Sequence, residues 1–300
     1  MIGTDRSRGT TLEPATVALN QLARPFLKWA GGKAQVYPAL QRYFPPVAEV
    51  ETYLEPFLGG GAVFFAYRPA TAILADLNSA LIVTYKTVKS NVDGVISELD
   101  APSAQVTEEG YRDARVRFNK LLSRVSKLGA KQRTEFASLF IWINHTCFNG
   151  LFRVNTKGKF NVPFGYYQRP TIYSEVSLRA ASEALREASA ALVSYDYERV
   201  LGGADKGDFA YLDPPYDPVS DTAKFTSYTR GGFDLEEQER LARVVHDAVG
   251  RGCRVVLSNS PSERIRKLYG DFRQEVVRVP RSINCQGTGR SPVEELVVIA

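Results

Sequence analysis

The stretch YLDPPYD at residues 211–217 is the feature that most constrains how this chain can fold. The mostly apolar run 208–212 that leads into it predicts a short buried strand. Pro214 and Pro215 cannot donate ladder hydrogen bonds, so that strand must stop at Asp213. An Asp-Pro sequence after a strand is often only a turn or a helix cap. The alternative is a site that needs an acid, Asp213, and an aromatic ring, Tyr216, held rigidly at the end of a buried strand.

Strand-like and helix-like patterns alternate at both ends of the chain, which predicts an α/β domain with a mostly parallel sheet. The strand-like segments are 52–54, 72–75, 191–195, 208–212, 254–257 and 294–299, and the helix-like ones are 62–67, 79–90, 175–191 and 235–250. From 92 to 174 the alternation fails. A basic helix over 112–125, an apolar helix over 136–143 and a loop-rich stretch over 144–168 are predicted there. We therefore expect one interrupted α/β domain, preceded by a loosely ordered polar extension over residues 1–24.

Composition excludes several classes of protein. The longest apolar stretches are far shorter than the ~18 residues that a membrane span requires. The cysteines, Cys147, Cys253 and Cys285, are odd in number and widely spaced, and the chain has only two histidines. These features argue against a disulfide framework or a zinc centre and favour a reducing cytoplasm. We expect no metal and no membrane partner, and nothing in the sequence indicates an obligate protein partner.

The distribution of charge is more informative than the net charge of +5. Between residues 111 and 170 there are twelve basic residues and only two acidic ones, Asp113 and Glu135, so this segment carries +10. A solvated basic helix face would explain such a count. The aromatic and amide side chains in the same segment favour a surface that binds a polyanion, where clustered cations gain affinity by releasing phosphate counterions.

A glycine turn lies between the first two predicted strands. Glycines at 59–61 let the backbone approach a ligand closely, and Asp76, after the second strand, could accept hydrogen bonds from ribose hydroxyls. Phe64 stands at the third glycine position of GxGxxG, and Glu55 would repel a pyrophosphate. A cofactor with a ribose, no phosphate and a positive centre, such as S-adenosylmethionine, suits these residues better than a dinucleotide. A glycine turn before a helix can also be purely structural.

A second glycine-containing motif, FLKWAGGK at residues 26–33, is not a phosphate loop. Leu27 stands where the first glycine of a P-loop belongs, and Lys33 is followed by Ala34. An aromatic residue and a lysine beside a glycine pair could still bind a nucleoside or a carboxylate.

Taken together, FLKWAGGK (26–33), EPFLGGG (55–61), ADLN (75–78) and DPPY (213–216) resemble the motifs of the Dam-type N6-adenine DNA methyltransferases of the D12 class, alpha group. The resemblance extends from residue 26 to the C-terminus and includes FNGLFRVN (148–155), FNVPFG (160–165) and RSINCQGTGR (281–290). It implies a Rossmann-like class I S-adenosylmethionine-dependent methyltransferase sheet over 25–91 and 175–300. An inserted, mainly helical target-recognition domain is implied over 92–174.

The resemblance also implies roles for individual residues. Those implied to hold S-adenosylmethionine are Trp29, Lys33, Glu55, Phe57, Gly59, Asp76 and Asp213. Those implied in catalysis are Asp213, Pro214 and Tyr216. Those implied in binding double-stranded DNA are Lys28, Phe148, Asn149, Leu151, Arg153 and Pro163. At Phe148 the best-known members carry an aromatic residue with a hydroxyl; stacking or wedging survives this change, but a hydrogen bond from the hydroxyl does not.

Adenine in a duplex hides its amino group in the base stack, so an enzyme acting on that group must extrude the base. Tyr216 would be the stacking platform, and stacking returns roughly 1–3 kcal/mol per base. The Asp213 carboxylate and the Pro214 carbonyl would accept hydrogen bonds from the amino group and aim its lone pair at a sulfonium methyl. Three aromatic residues further on, Phe225, Tyr228 and Phe233, either form a loop that closes on the flipped base or only pack.

Arg153 is the expected base reader, because its planar fork matches guanine O6 and N7. Arg117, Lys120 and Arg124 would contact phosphates without reading sequence. The expected target is adenine in GATC, and the expected location is the cytoplasm, as a bacterial or phage-encoded protein associated with the nucleoid. The alternatives are another DNA target, an RNA or a protein amide substrate, and a non-catalytic DNA-binding module on the same fold.

Overall fold

A seven-stranded sheet forms the centre of the computed structural model, which describes residues 23–101, 106–217, 233–279 and 293–300. The strands are β1 (Tyr53–Glu55), β2 (Ala72–Ala75), β3 (Ala191–Val193), β4 (Phe209–Leu212), β5 (Arg254–Asn259), β6 (Arg273–Val279) and β7 (Val293–Ile299). Their order in the sheet is β3-β2-β1-β4-β5-β7-β6. The first five strands in this order are parallel, and β7 runs antiparallel to both of its neighbours.

Helices cover both faces of the sheet. They are α1 (Ala62–Tyr67), α2 (Ser79–Ser90), α3 (Val92–Leu99), α4 (Glu108–Leu122), α5 (Ala130–Thr146), α6 (Glu175–Glu187), α7 (Tyr197–Leu201), α8 (Leu235–Gly250) and α9 (Glu263–Leu268). Short helical turns lie at Lys33–Gln35, Tyr37–Leu40, Gln41–Tyr43, Val47–Glu49, Val125–Lys127 and Phe148–Gly150. The expectation of a Rossmann-like class I methyltransferase sheet with a mainly helical insertion is confirmed.

The strand order reverses between β1 and β4. From β1 the chain builds outward through β2 and β3, then returns and builds the other way through β4 and β5. In open α/β sheets, ligands bind in the crevice at the carboxyl ends of the strands where the order reverses. Glu55 ends β1 and Asp213 follows β4, so both carboxyl groups are delivered to this crevice.

The insertion is packed directly onto the sheet domain. Helix α5 lies against α2, α3 and α4, and its buried face belongs to the same hydrophobic cluster as α2, α6 and one face of the sheet. Phe118 of α4 stacks on Phe136 of α5, with ring centroids 4.9 Å apart. The loops that follow α5 are therefore held at a fixed position relative to the crevice.

Most of the predicted elements are present. The sequence patterns did not predict several other elements that the structure contains. Helix α3 lies where the alternation fails, although Val92, Val95, Ile96 and Leu99 have helical spacing and all are buried. The Asn91 side chain caps this helix by accepting the Gly94 N–H at 3.3 Å. Strand β6 was missed because Arg273, Gln274, Glu275 and Arg278 make it largely polar, as is common for a strand at the edge of a sheet. The short helices α7 and α9 were also missed. None of the helices in the described ranges is long and apolar enough to cross a membrane.

Candidate active site and nucleic-acid interface

A cavity of about 960 Å³ opens at the carboxyl ends of β1 and β4. It brings together every residue predicted to bind the cofactor or to take part in catalysis: Trp29, Lys33, Glu55, Phe57, Gly59, Asp76, Asp213, Pro214 and Tyr216. Four separate stretches of sequence supply these residues. The acid after the proline-terminated strand therefore faces a cavity that it shares with the glycine turn.

The glycine turn after β1 is shaped by Asp76. Its carboxylate accepts the Gly59 N–H at 3.0 Å and the Asn78 N–H at 2.8 Å. Burial raises the pKa of Asp76, and these two hydrogen bonds oppose the rise. Gly59 has a φ of +48°, and a Cβ at this position would lie 2.7 Å from Cδ1 of Trp29. The turn thus needs glycine both for its backbone conformation and to leave room for the indole ring.

Aromatic rings form two walls of the cavity. Trp29 rests on the glycine turn and is stacked against Phe152, with centroids 6.1 Å apart and an interplanar angle of 22°. Phe57 stacks on Tyr197 and meets Phe233 edge-on. Phe233 thus packs in the wall, whereas Phe225 and Tyr228 lie outside the described residues. Such walls can hold a flat ring by stacking.

Asp213 and Tyr216 meet at the Lys33 ammonium. Lys33 Nζ lies 2.9 Å from Asp213 Oδ1 and donates to Tyr216 Oη at 2.8 Å. It also lies 4.8 Å from the centroid of the Tyr216 ring. Burial raises the pKa of Asp213 to about 6, and the Lys33 charge opposes that rise. The Asp213 side chain is still 21% exposed, so it remains accessible from the cavity.

Glu55 is a second carboxyl group in the same cavity. It accepts a hydrogen bond of 2.8 Å from the Tyr53 hydroxyl. Burial raises the pKa of Glu55 to about 8, the hydrogen bond from Tyr53 opposes the rise, and the nearby Asp213 charge adds to it. Glu55 is therefore mainly neutral at pH 7 in the protein alone, and a cationic ligand would favour its ionised form.

Residues that sequence reasoning missed hold the DPPY turn. Gln238 of α8 donates to the Pro215 carbonyl at 2.9 Å and accepts from Asn259 of β5 at 3.1 Å. Asn259 also accepts the Asp217 N–H at 3.2 Å, and the Asp217 carboxylate is bound by Ser262 and Arg264. Within the sequence, only Asp217, the residue directly after DPPY, pointed to this hydrogen-bond network.

The residues predicted to bind DNA form a separate group beside the cavity. Lys28, Phe148, Asn149, Leu151, Arg153 and Pro163 are all exposed, and the large apolar side chains Phe148 and Leu151 are 48% and 39% exposed. Lys28 precedes Trp29 in the chain, and its ammonium lies 4.8 Å from the centroid of the Tyr167 ring. The predicted DNA-reading residues and the cavity therefore share one edge.

Asn144 at the end of α5 ties the two groups together. Its amide accepts the Lys28 N–H at 2.7 Å and donates to the carbonyls of Lys28 and Gly150, both at 2.9 Å. Gly150 has a φ of +63°, and a Cβ there would lie 2.5 Å from Cβ of Lys28. No sequence pattern identified Asn144.

Hydrogen bonds from α4 fix the hairpin that carries Arg153 and Pro163. The Asn119 amide pairs with both backbone groups of Phe160, at 2.7 and 3.0 Å, and the Tyr111 hydroxyl donates to the Val162 carbonyl. Arg153 Nε donates to Asn161 Oδ1 at 2.9 Å. The basic helix thus also supports the hairpin.

One of the three residues predicted to contact phosphate is paired within the protein. Arg117 forms a salt bridge of 2.8 Å with Glu135.

Across the described ranges, no group of three or more histidine, cysteine, aspartate or glutamate side chains is placed to hold a metal ion.

Comparisons with known proteins point to one family. A family model described as "D12 class N6 adenine-specific DNA methyltransferase" matches residues 29–283. The chain is 37% identical to the type II methyltransferase M1.LlaDCHI of Lactococcus lactis subsp. cremoris over 275 residues. The aligned region covers 92% of this chain and 94% of the relative. It is also 37% identical to the type II methyltransferase M.MjaIII of Methanocaldococcus jannaschii, over 92% of this chain and 98% of the relative. The DNA adenine methylase of Escherichia coli K12 is 36% identical over 92% of this chain and 95% of the relative.

Proposed function

The chain belongs to the D12 class of N6 adenine-specific DNA methyltransferases, and we propose that it methylates a flipped adenine within GATC, using S-adenosylmethionine. Asp213, Lys33 and Tyr216 carry the catalytic part of this proposal, because they meet in a cavity that also contains the glycine turn. A module that only bound DNA would have no need of this cluster. Membership of this family excludes a protein amide as the substrate. The proposal of GATC as the target rests on the Dam-like sequence blocks of the insertion, 148–155 and 160–165.

The residues of the cavity fit S-adenosylmethionine. Asp76 and the Gly59 turn would hold the ribose, while the rings of Trp29 and Phe57 offer stacking surfaces for adenine. Glu55 and Asp213 would face the positive charge of the sulfonium. This fits the cavity, because among the described residues that line it Lys33 is the only lysine or arginine. When bound, S-adenosylmethionine supplies an electrophilic methyl group.

Three groups of the DPPY turn would act on the target base. The Tyr216 ring would stack on the extruded adenine. The Asp213 carboxylate and the Pro214 carbonyl would accept hydrogen bonds from the amino group, so that its nitrogen becomes more tetrahedral and its lone pair points into the cavity. Gln238 holds the Pro215 carbonyl and so keeps both acceptors in position. Positioning and electrostatics would supply most of the rate enhancement.

The target would be read from the exposed loop and hairpin of the insertion. Arg153 would form a two-pronged contact with guanine, and Phe148 would wedge into the space that the flipped base leaves. Exposed lysines and arginines of α4 and the hairpin would contact phosphates. The exposed loop and hairpin lie in the insertion, and the cavity residues lie outside it. We therefore propose a catalytic part (25–91 and 175–300) and a target-recognition part (92–174). A protein acting on genomic duplex DNA would work at the nucleoid in the cytoplasm.

The target assignment predicts that label from the methyl donor enters GATC sites. A duplex library containing adenine in every tetranucleotide context, treated with the protein and labelled S-adenosylmethionine, should incorporate label almost entirely at GATC. Label found mainly at other adenines would refute the target but leave the chemistry intact. Incorporation into matched single-stranded RNA would instead support the alternative substrate.

The raised pKa of Asp213 predicts an acid limb in the reaction. Asp213 accepts hydrogen bonds as a carboxylate, which predominates above its pKa of about 6 and is lost below it. The kcat/KM for S-adenosylmethionine should therefore fall as pH drops through 6, by roughly ten-fold per pH unit below it. This constant reports the Asp213 pKa before the cofactor binds, whereas a bound sulfonium would lower that pKa. A rate constant that stays flat from pH 7 to pH 5 would show that Asp213 titrates near the ordinary value of 3.8.

A further inference from the structure

Glu295 is a buried acid beside Lys33 that no motif identified. It lies on β7, the strand that runs antiparallel beside β5, and its side chain is 7% exposed. Its Oε2 lies 3.7 Å from Lys33 Nζ, the same ammonium that binds Asp213 at 2.9 Å. Among the described residues, its other oxygen, Oε1, is buried without a hydrogen-bond partner. A buried oxygen without a partner destabilises the fold. Glu295 also faces Tyr216, whose pKa burial raises and the negative charge of Glu295 raises further.

One ammonium therefore serves two carboxylates. The N–H groups of Lys33 are directed at Asp213, at the Tyr216 hydroxyl and, more weakly, at the Gly31 carbonyl at 3.4 Å, while Glu295 attracts the ammonium from 3.7 Å. Without the Glu295 charge, the full attraction of Lys33 would fall on Asp213. A carboxylate that is held more tightly by a cation is a weaker acceptor for any other donor.

We propose that Glu295 is a positioning residue for methyl transfer: it shares Lys33 with Asp213 and so keeps the Asp213 carboxylate available to the amino group of the target adenine. The inference rests on the proposed function, because it assigns Glu295 a role only through Asp213. Glu295 does not itself contact the base. Its role is to set how strongly Lys33 binds the acid that does.

Other groups around Asp213 are consistent with this role. Glu55 faces it from β1, Tyr211 from β4, and Tyr216 and Lys33 from the cavity. Glu295 raises the pKa of Asp213, whereas Lys33 lowers it. Besides Asp213, Glu295 is an acid whose carboxylate lies close to Lys33, at 3.7 Å, so it is placed to balance part of the charge of Lys33.

The first test measures Asp213 directly in the protein without cofactor or DNA. The 13C signal of the Asp213 carboxyl carbon, assigned by its loss in Asp213→Asn, is followed as a function of pH. Glu295→Gln should lower the Asp213 pKa by roughly 0.5 to 1 unit. Glu294→Gln is the matched control, because Glu294 is the neighbouring exposed residue of β7 and pairs with Arg278 on the surface. The Asp213 midpoint should not move in this control.

The second test measures the rate. In single turnovers above pH 7, Glu295→Gln should react roughly 3- to 10-fold more slowly than the wild type. The dissociation constants for cofactor and duplex DNA should stay within about two-fold, since Glu295 touches neither. Glu295→Asp keeps the charge, so its Asp213 titration should have a pH midpoint close to that of the wild type.

The outcomes separate the inference from the proposed function. An active wild type with an unchanged Asp213 midpoint and rate in Glu295→Gln overturns the role of Glu295. A large loss of cofactor affinity without a change in that midpoint also overturns it, because Glu295 would then act as a ligand of the cofactor. A wild type that methylates no DNA overturns the proposed function instead, while the carbon titration still reports on the coupling between Glu295 and Asp213.

Discussion

Replacing Asp213 by alanine is expected to reduce adenine methylation by at least about 10³-fold, because the change removes a preorganised acceptor from the cavity. The amino nitrogen of adenine is a poor nucleophile, since its lone pair is delocalised into the ring. Without the carboxylate nothing at this position would pull it toward tetrahedral geometry. The measurement is nucleoside mass spectrometry of duplex DNA treated with wild type and Asp213→Ala. We expect N6-methyladenine with the first protein and almost none with the second.

Two comparisons make the Asp213 result specific. Asp247→Ala removes an exposed acid on α8 and should leave methylation unchanged. Circular dichroism should show that both variants are folded, because Asp213 is not part of the hydrophobic core. Methylation by Asp213→Ala at more than about a tenth of the wild-type rate would mean that another group activates the amino nitrogen.

Replacing Arg153 by alanine is expected to relax the choice of target. A two-pronged contact with guanine contributes about 1–3 kcal/mol of discrimination, which corresponds to roughly 5- to 150-fold between the correct and the wrong base. Arg153 is exposed on a hairpin that α4 supports, so its loss should not disturb the fold. The measurement is the ratio of kcat/KM for GATC to that for duplexes with the guanine replaced.

Lys157, on the same hairpin, is the matched control for Arg153. It is exposed, and Lys157→Ala should weaken binding about equally for all duplexes and reduce the salt dependence by the equivalent of about one phosphate contact. Arg153→Lys keeps the charge but not the planar fork, so its discrimination should resemble that of Arg153→Ala. If the ratio of kcat/KM is unchanged in both Arg153 variants, another side chain reads the guanine.

Local sequence signals predicted much of the fold because they rest on short-range physics. The proline pair had to end β4, and the glycines before α1 required a turn that only small residues adopt easily. Helix α8 begins and ends where its pattern predicted, with Asp234 as the N-cap that accepts the Glu237 N–H at 3.1 Å. Helix α3 was missed although its spacing was readable, because only Asn91 separates it from α2.

The supporting polar residues could not have been predicted. Asn144, Gln238 and Glu295 are single side chains in ordinary helix or strand patterns, and each gains its meaning from a partner distant in sequence. The Asn144 partner Lys28 is 116 residues away, and the Gln238 partner Pro215 is 23 residues away. Periodicity reports which face of an element is buried, but not which polar group will lie opposite.

The amino-acid sequence by itself determined the parallel sheet, the acid and ring at the end of β4 and the basic insertion, since strand termination, glycine turns and charge clustering depend on neighbouring residues. Only the tertiary structure decided that Lys33 would bind Asp213 and Tyr216 rather than face a ligand alone, and that Glu295 would lie 3.7 Å from its ammonium. The physical reason is that the strength of an acid depends on its burial and on charges within a few ångströms. Folding brings those charges together from the FLKWAGGK motif, the DPPY turn and the last strand.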